Sequence, residues 1–429
     1  MVFAFDPLCI VYFEIAKEQE LTGIACFFLR FFVIGARFLM SKLLDMRPGI
    51  LTFLALAFGL SCQPVSQGNH SLETLLLADG SRTTVWEPRI LYLVGYSSPD
   101  LWAFQVDSTT GALTQIFTNT STLAAVNALN VVVDSTNGVL YVPRNINPGG
   151  LRSFSVSEAV PVPGTVSTNT AGVAFSHSAV NHPTLPMTYV VDTGGNVLVY
   201  SRTAAGVFGA PSTFAIGTPT GSYLTISPGA RFLFYRANSI IRTAPISSAG
   251  TLSTAVGSYT STGNGYLVSH PDGRFVYVTG TNSIDLLQLG DDGSLTLISQ
   301  TATPNLNIPF VIHPNGKYLY MTDSTGTAYV YWINKVTGAL LLLQQISVNN
   351  SAPQASCIDV RGRFYYTFGS GAGNIATAFR INDTNGTLSQ TAAYTLSTSH
   401  RGCAFLNAQV SRSHVELRAD EYLPSWLIL

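Results

Sequence analysis

Apolar and polar positions alternate between Leu91 and Leu406 in a unit that occurs seven times. Each copy has an apolar strand such as 274–278 (Arg-Phe-Val-Tyr-Val), a polar turn and a second strand. One aromatic residue in the second strand of each copy marks the period. The markers, spaced 43–49 residues apart, are Tyr92, Tyr141, Tyr189, Phe234, Tyr277, Tyr320 and Tyr366. Periods of about 40 to 50 residues with four short strands are typical of propeller blades. The pattern predicts an all-β, seven-bladed β-propeller of four-stranded antiparallel blades over residues 90–408.

Two recurrent turns divide each unit into its strands. The first, at 270–274 (His-Pro-Asp-Gly-Arg) and 313–317 (His-Pro-Asn-Gly-Lys), joins the innermost strand to the second. The second, at 107–113 and 334–340, ends in Gly-Ala-Leu and joins the third strand to the fourth. Glycine supplies the positive φ that such turns require, and proline fixes the preceding φ.

The order of the copies predicts how the ring closes. The first copy begins at its second strand, 90–94, with no innermost strand before it. After the seventh blade, 401–406 has the pattern of an innermost strand without a blade of its own. We expect this C-terminal strand to complete blade one, so that no blade is held weakly at the end of the ring.

Composition excludes several classes of partner. Charged residues make up 10% of the chain, against about 25% in typical domains, and the formal net charge is −1. Basic residues are scattered singly, which excludes the electrostatic footprint of a nucleic-acid-binding protein. No His, Cys and carboxylate group has metal-ligand spacing, and the glycine-rich 369–373 opens no helix. We therefore predict no metal and no cofactor.

The segment before the propeller predicts export. A short basic start at 46–49 precedes an eleven-residue apolar run, 50–60, and Ser61-Cys62 follows. This resembles a bacterial lipoprotein signal, in which Cys62 carries a lipid that anchors the chain to a membrane. Segment 40–61 is then the signal peptide and 62–89 a tether, which places the protein in the cell envelope, periplasmic or surface-exposed. An uncleaved anchor or an ordinary secretory signal are the alternatives, although eleven residues are too short to span about 30 Å of hydrocarbon.

The two chain ends and two cysteines fit the repeat less well. We expect residues 1–39 to be untranslated, with a membrane helix over 21–39 as the alternative, and 409–429 to be a tail that fits no blade. Cys357 and Cys403 lie in innermost strands of neighbouring blades, with strand phases that differ by one residue. Their side chains should point to opposite faces, so we expect two buried thiols, although an exported location would permit a disulfide.

Candidate binding residues come from two rings on the face around the channel mouth. Three residues past each marker, one ring contains Arg144, Asp192 and Asp323, although aspartate at a strand end is also a common turn former. The recurrent His270 and His313 fall at turn starts on the opposite face, where we expect a structural role.

The second ring lies nearest the channel axis. Its only ionisable pair is His400 with Arg401, which neutral side chains flank at Asn127, Asn264 and Asn307. Histidine near its ordinary pKa suits general acid or base catalysis, and arginine suits a carboxylate or phosphate. The alternative is that Arg401 hydrogen-bonds carbonyl groups where the ring closes.

The turns at 107–114 and 270–278 resemble those of the bacterial lactonase-type seven-bladed propeller family, which includes 6-phosphogluconolactonase-like and muconate-cycloisomerase-like proteins. The resemblance implies the fold. In members that act on lactones it also implies a His, Arg and acidic cluster at the channel mouth, where His400 and Arg401 stand here. Three functions compete: a lipid-anchored propeller that binds a small ligand or protein at its channel mouth, a lactone hydrolase, and a structural or adhesive surface module.

Overall fold

The computed structural model consists of two units, Met1–Gly80 and Ser81–Leu429. The described residues are 2–5, 9–12, 82–95, 101–119, 130–160, 164–170, 175–217, 223–237, 239–263, 266–304, 310–348, 353–369, 375–396 and 400–413. In the first unit, β1 (Val2–Phe5) and β2 (Cys9–Tyr12) form an antiparallel pair. The predicted signal segment and Cys62 lie outside the described residues. Within those ranges no helix is both long and apolar enough to cross a bilayer.

The described part of the second unit forms seven four-stranded antiparallel sheets. Blade one consists, from the axis outward, of β30 (His400–Ser413), β3 (Arg82–Gly95), β4 (Leu101–Val106) and β5 (Leu113–Asn119). Blade two contains β6 (Val132–Asp134), β7 (Val139–Pro143), β8 (Leu151–Ser155) and β9 (Gly164–Asn169). Blade three contains β10 (Ser176–Asn181), β11 (Met187–Asp192), β12 (Asn196–Ser201) and β13 (Ser212–Ala215).

The remaining four blades follow in chain order. Blade four contains β14 (Leu224–Ile226), β15 (Phe232–Ala237), β16 (Ile240–Pro245) and β17 (Gly257–Thr260). Blade five contains β18 (Leu267–Ser269), β19 (Phe275–Thr279), β20 (Ser283–Leu289) and β21 (Leu295–Ala302). Blade six contains β22 (Phe310–Ile312), β23 (Tyr318–Thr322), β24 (Thr327–Ile333) and β25 (Leu340–Ser347). Blade seven contains β26 (Pro353–Ile358), β27 (Phe364–Gly369), β28 (Ile375–Ile381) and β29 (Leu388–Thr395).

This architecture confirms the predicted propeller and its closure by a C-terminal strand. β30 pairs antiparallel with β3, with Ile90 opposite Leu406. The pairing continues as far as Arg82 opposite Ser413, beyond the boundaries at 90 and 408 that the repeat predicts. Fourteen-residue strands therefore join the two ends of the propeller.

The core lies between blades, which explains why the second strands are apolar on both faces. In β3, Leu91 and Leu93 pack against blade seven, whereas Tyr92 and Val94 pack toward blade two. Successive side chains of a strand point to opposite faces of its sheet, so both faces are buried when a blade stands between two others. β19 is buried throughout for the same reason.

The marker tyrosines connect neighbouring blades through hydrogen bonds. In four blades the hydroxyl of the marker donates to the carbonyl oxygen of the glycine in the third-to-fourth-strand turn of the next blade. The pairs are Tyr189 to Gly250 (2.8 Å), Tyr277 to Gly338 (2.7 Å), Tyr320 to Gly386 (3.0 Å) and Tyr366 to Gly111 (2.9 Å). The last bond closes the ring between blades seven and one. The aromatic marker and the glycine turn therefore form one structural device, which the sequence repeats together.

The recurrent histidines also join blades, as expected for a structural role. Nε2 of His270 lies 2.7 Å from the carbonyl oxygen of Gly316, and Nε2 of His313 lies 2.8 Å from that of Gly362. Burial lowers the pKa of His313 to about 4, so this imidazole is neutral at physiological pH. Both side chains are buried at the turn end of the blades.

A buried ion triad reinforces the closure. Glu87 is fully buried, and its carboxylate accepts hydrogen bonds from Nη1 of Arg361 (2.5 Å) and Nη2 of Arg363 (2.8 Å). Burial alone would raise the pKa of Glu87, but the charges and hydrogen bonds of Arg363 and Arg361 leave it below its ordinary value. The triad links β3 of blade one to a turn of blade seven.

The expectation of two free thiols is wrong, because Cys357 and Cys403 form a disulfide with Cα atoms 6.3 Å apart. Cys403 is opposite Leu93, which faces blade seven, and Cys357 is opposite Tyr366. The two side chains do leave opposite faces of equivalent strands. In adjacent blades those are the faces that meet, so the difference in strand phase brings the sulfur atoms together.

Candidate functional site at the channel mouth

β-bulges interrupt three of the innermost strands, β10, β26 and β30, at the channel mouth. In β30, Gly402 is opposite Val94 and His400 is opposite Gly95, which leaves Arg401 as the extra residue. In β10 the same irregularity between Ser176 and Ser178 leaves His177 as the extra residue. A bulge breaks strand alternation and redirects the side chain that it carries. Arg401 and His177 therefore occupy equivalent special positions on blades one and three.

The surroundings of His177 favour the neutral form of its imidazole. Its Nδ1 atom is buried and has no hydrogen-bond partner within the described ranges. Burial, and then the positive charge of Arg401, lower the pKa of His177, while the carboxylate of Asp192 opposes the shift. The imidazole is therefore unprotonated at neutral pH, with a cation and an anion within electrostatic range.

Arg401 stands next to an aromatic pair. It is partly exposed and interacts electrostatically with His177, Tyr223 and Tyr266. The rings of Tyr223 and Tyr266 have centroids 4.0 Å apart, and their hydroxyl groups are hydrogen-bonded. Burial raises the pKa of both phenols, so they remain hydrogen-bond donors at neutral pH.

A second arginine, Arg236, also lies within electrostatic range of this tyrosine pair. Nη2 of Arg236 donates to the carbonyl oxygen of Gly263 (2.5 Å), and its charge acts on Tyr223. Only 5% of Arg236 is exposed, and burial lowers its pKa. The mouth thus combines one neutral imidazole, two guanidinium groups and two phenols, a set suited to binding and polarising a carbonyl compound with oxygen substituents.

The structure separates the predicted pair of His400 and Arg401. His400 is fully buried in blade one, where its ring meets that of Trp102 edge to face at 5.3 Å. Arg401 remains partly exposed at the bulge. Among the described residues, the imidazole shown to interact electrostatically with Arg401 belongs to His177, which the repeat did not predict. The only signal in the sequence was a histidine in the innermost strand of a propeller blade.

The predicted aspartates accept backbone hydrogen bonds in turns. Oδ1 of Asp323 accepts from the amides of Thr325 (2.9 Å) and Thr327 (2.8 Å). Oδ1 of Asp192 accepts from the amide of Asn196 (2.9 Å), but Asp192 also acts electrostatically on His177. Asp323 is therefore a turn former, and Asp192 combines that role with a position at the mouth.

Arg144 is the third predicted member of this ring. It lies at the end of β7, and its carbonyl oxygen accepts a hydrogen bond from the amide of Ser176 (2.9 Å), the neighbour of His177. Only 8% of Arg144 is exposed. The predicted Asn127, Asn264 and Asn307 lie outside the described residues. Within those residues no cluster of three or more His, Cys, Asp or Glu side chains could hold a metal ion.

The chain is similar in part to one known protein family and in fold to several solved structures. Residues 241–359 match the model of the family described as lactonase, 7-bladed beta-propeller. No curated protein matches the chain. A solved Lactobacillus plantarum protein is 18% identical, with a TM-score of 0.65 over 74% of this chain and 99% of its own.

Two further solved structures share the fold at 13% identity and a TM-score of 0.63. One is a Bacteroides fragilis protein provisionally named a 6-phosphogluconolactonase, matched over 76% of this chain and 98% of its own. The other is the Pseudomonas aeruginosa periplasmic gluconolactonase, matched over 74% and 98%. The family match and the shared architecture confirm that this chain resembles the lactonase-type seven-bladed β-propeller family.

Proposed function

We propose that the propeller is a lactone hydrolase with its active site at the channel mouth. The observation that carries the proposal is the neutral imidazole of His177, held within electrostatic range of Arg401 and Asp192. A neutral histidine can accept a proton from water, and an adjacent guanidinium can stabilise an oxyanion. These are the two requirements of ester hydrolysis without a covalent intermediate.

In the proposed reaction, water attacks the lactone carbonyl carbon while His177 takes one of its protons. The carbonyl electron pair moves to oxygen, and Arg401 stabilises the tetrahedral oxyanion. When the pair returns, the ring C–O bond breaks and the imidazolium gives its proton to the departing alkoxide. The product is an open-chain hydroxy acid, and Asp192 stabilises the transient imidazolium electrostatically.

The tyrosines and Arg236 supply orientation in this proposal. Tyr223 and Tyr266 present protonated phenols that can donate to substrate hydroxyl groups, and their rings form an apolar surface. The family resemblance, together with neighbours named for gluconolactonase activity, supports a sugar-acid lactone as the substrate class. Binding of a ligand without turnover would use the same surface and is an outcome of the test.

The test is lactone opening, followed as proton release, with purified full-length protein and glucono-1,5-lactone or its 6-phosphate. We expect His177→Gln and Arg401→Ala each to lower kcat/KM at least about 100-fold, a typical loss for a general base or an oxyanion donor. The matched control is Arg380→Ala, an exposed arginine of blade seven, which should retain activity. Saturable lactone binding without hydrolysis by the wild type would replace the hydrolase with a binding protein, and undiminished activity in both mouth variants would remove the proposed site.

We also propose that the protein is exported and lipid-anchored at Cys62. The Cys357–Cys403 disulfide supports an oxidising compartment, because such bonds are rare in the bacterial cytosol. Expression with radiolabelled palmitate should label the wild type and leave the Cys62→Ala variant unlabelled and outside the membrane fraction. Equal labelling and membrane association of both proteins would contradict lipid anchoring at this residue.

A further inference from the structure

A cavity lies at the turn end of the propeller, between blades one and two. Its volume is about 470 Å³, within the range of about 300 to 1,000 Å³ that small-molecule sites occupy. One wall consists of Trp86 and Arg89 of β3 and residues 406–409 of β30. The other wall consists of the two turns of blade two, at 135–138 and 156–158. The channel mouth is at the opposite end of these blades, so the cavity is separate from the proposed active site.

The joint that holds this cavity departs from the repeat. Between blades five and six, the buried imidazole of His270 meets the carbonyl oxygen of Gly316, and blades six and seven make the same contact. By strand register, Leu406 of blade one takes the place of that histidine, and Asn137 of blade two takes the place of that glycine. The turn at 156–163 also lacks the glycine that accepts a marker tyrosine elsewhere. This joint is therefore open where two others are closed by an imidazole.

Blade one extends past the other blades at this joint. β3 and β30 remain paired beyond Ile90 and Leu406, with Trp86 opposite Gln409, whereas β4 pairs with β3 only from Ile90 onward. The partly exposed Trp86 therefore stands on a two-stranded extension that borders the cavity. An indole presents a flat apolar face together with one N–H donor. The cavity thus has an aromatic surface on one side.

Polar side chains of the walls offer donors and acceptors with balanced charge. Nε of Arg89 lies 3.7 Å from Oε1 of Glu158, and these side chains are 30% and 56% exposed, so both retain capacity for further hydrogen bonds. The side-chain amide of Asn137 donates to Asp134 (3.0 Å), which leaves its oxygen for another donor. Oδ1 of Asn407 is buried and has no hydrogen-bond partner within the described ranges. Unused groups of both kinds therefore surround the cavity.

We propose that this cavity is a binding site for a neutral saccharide. The C–H face of a sugar ring would lie on Trp86, and its hydroxyl groups would bond to Arg89, Glu158 and Asn137. A sugar hydroxyl both donates and accepts, so it matches walls that offer both kinds of group. The polar walls disfavour an apolar ligand, and the opposite charges of Arg89 and Glu158 favour no ion of either sign. This site binds without reaction and does not depend on the proposed function.

The experiment is calorimetric titration of the full-length protein with glucose, galactose, N-acetylglucosamine and cellobiose. We expect saturable binding of at least one of these sugars. Trp86→Ala should weaken that binding about tenfold or more, the usual cost of removing an aromatic anchor. The matched control is Trp332→Ala, which removes a tryptophan of blade six that is 36% exposed and should bind sugar as the wild type does.

The outcomes separate this site from the channel mouth. Absence of saturable binding of all four sugars, or undiminished binding in Trp86→Ala, overturns the proposal. If Trp86→Ala does not fold, Glu158→Ala at an exposed position must weaken binding, or the proposal is likewise overturned. Binding that is lost in Arg401→Ala but kept in Trp86→Ala would assign the sugar to the channel mouth. Sugar binding that requires Trp86 in a protein without lactonase activity upholds the cavity site and contradicts the proposed function.

Discussion

The two ends of the blades differ in how their buried polar groups are hydrogen-bonded. At the turn end, several polar side chains hydrogen-bond to the next blade, as Tyr366 does at Gly111 and His313 does at Gly362. At the channel mouth, buried side-chain nitrogen atoms of His177 and Arg144 have no hydrogen-bond partner within the described part of the chain. Satisfied polar groups hold a structure together, whereas unsatisfied ones are ready for a ligand.

The two ends also differ in whether their contacts repeat from blade to blade. The tyrosine-to-glycine bond occurs in four blade pairs with nearly the same geometry. The bulges of Arg401 and His177 carry different residues on different blades. The ring closes through the same contact between successive blades, whereas recognition of one ligand requires different residues on different blades. We therefore assign stability to the turn end and chemistry to the channel mouth.

The largest effect should come from the buried triad at the turn end. Glu87→Gln removes the charge that compensates Arg361 and Arg363, and we expect a loss of about 3 to 5 kcal/mol in the free energy of unfolding, measured with urea. The matched control is Glu158→Gln, whose wild-type carboxylate is exposed and 3.7 Å from Arg89, and which should change stability by about 0 to 1 kcal/mol.

This triad also predicts a pH dependence. The pKa of Glu87 is lower in the folded state than its ordinary 4.5, so its stabilisation is complete above pH 4.5 and is lost as the pH falls through the folded value. Glu87→Gln should flatten that part of the stability profile. Equal stability of Glu87→Gln and Glu158→Gln would show that closure does not depend on the triad. An unchanged loss of stability at acid pH in Glu87→Gln would show the same.

The disulfide should give the next effect. Its cysteines are 46 residues apart, and cross-links that close loops of this size typically contribute about 2 to 4 kcal/mol. We expect reductant to lower the Tm of the wild type and to leave the Cys357→Ala/Cys403→Ala variant unchanged. Alkylation of Cys357 and Cys403 in the unreduced, unfolded protein would contradict the bond.

The single interblade hydrogen bond is the smallest test of the turn end. Tyr366→Phe deletes the donor to Gly111 and should cost about 0.5 to 1.5 kcal/mol by urea unfolding. The same change at Tyr277, whose hydroxyl donates to Gly338 in another blade pair, provides the matched comparison and should cost a similar amount. A loss only at Tyr366 would assign the role to ring closure rather than to every joint, and no loss at either position would contradict the role of the bond.

The sequence predicted the propeller because its signal is repeated. Marker aromatics, turn glycines and the orphan strand at 401–406 each follow from period and turn chemistry, and the structure confirms seven blades closed at blade one. The disulfide was missed because the strand phases were interpreted without the packing of neighbouring sheets, which bring opposite faces together. Glu87 was missed because its two arginines lie more than 270 positions away in the chain.

The arrangement of residues at the channel mouth could not be predicted from the sequence, for a physical reason. Strand alternation assigns a side chain to a face, but a bulge adds one residue and changes that assignment. His177 and Arg401 both sit on such additions, so counting from the turns identified Arg401 only through its neighbour His400 and did not identify His177. Arg144 was found by counting from its marker, but the structure alone shows that two of its buried nitrogen atoms have no hydrogen-bond partner among the described residues.

The most direct test of the account is the pH dependence of kcat/KM for lactone opening, corrected for spontaneous hydrolysis. Burial and Arg401 hold the pKa of His177 below 6.5, so a base with this imidazole should stay fully active at neutral pH. Activity should fall only as the pH drops through that lowered value. His177→Gln should remove both the activity and this acid limb. Wild-type activity that is retained in His177→Gln with the same acid limb would contradict the assignment of catalysis to the channel mouth.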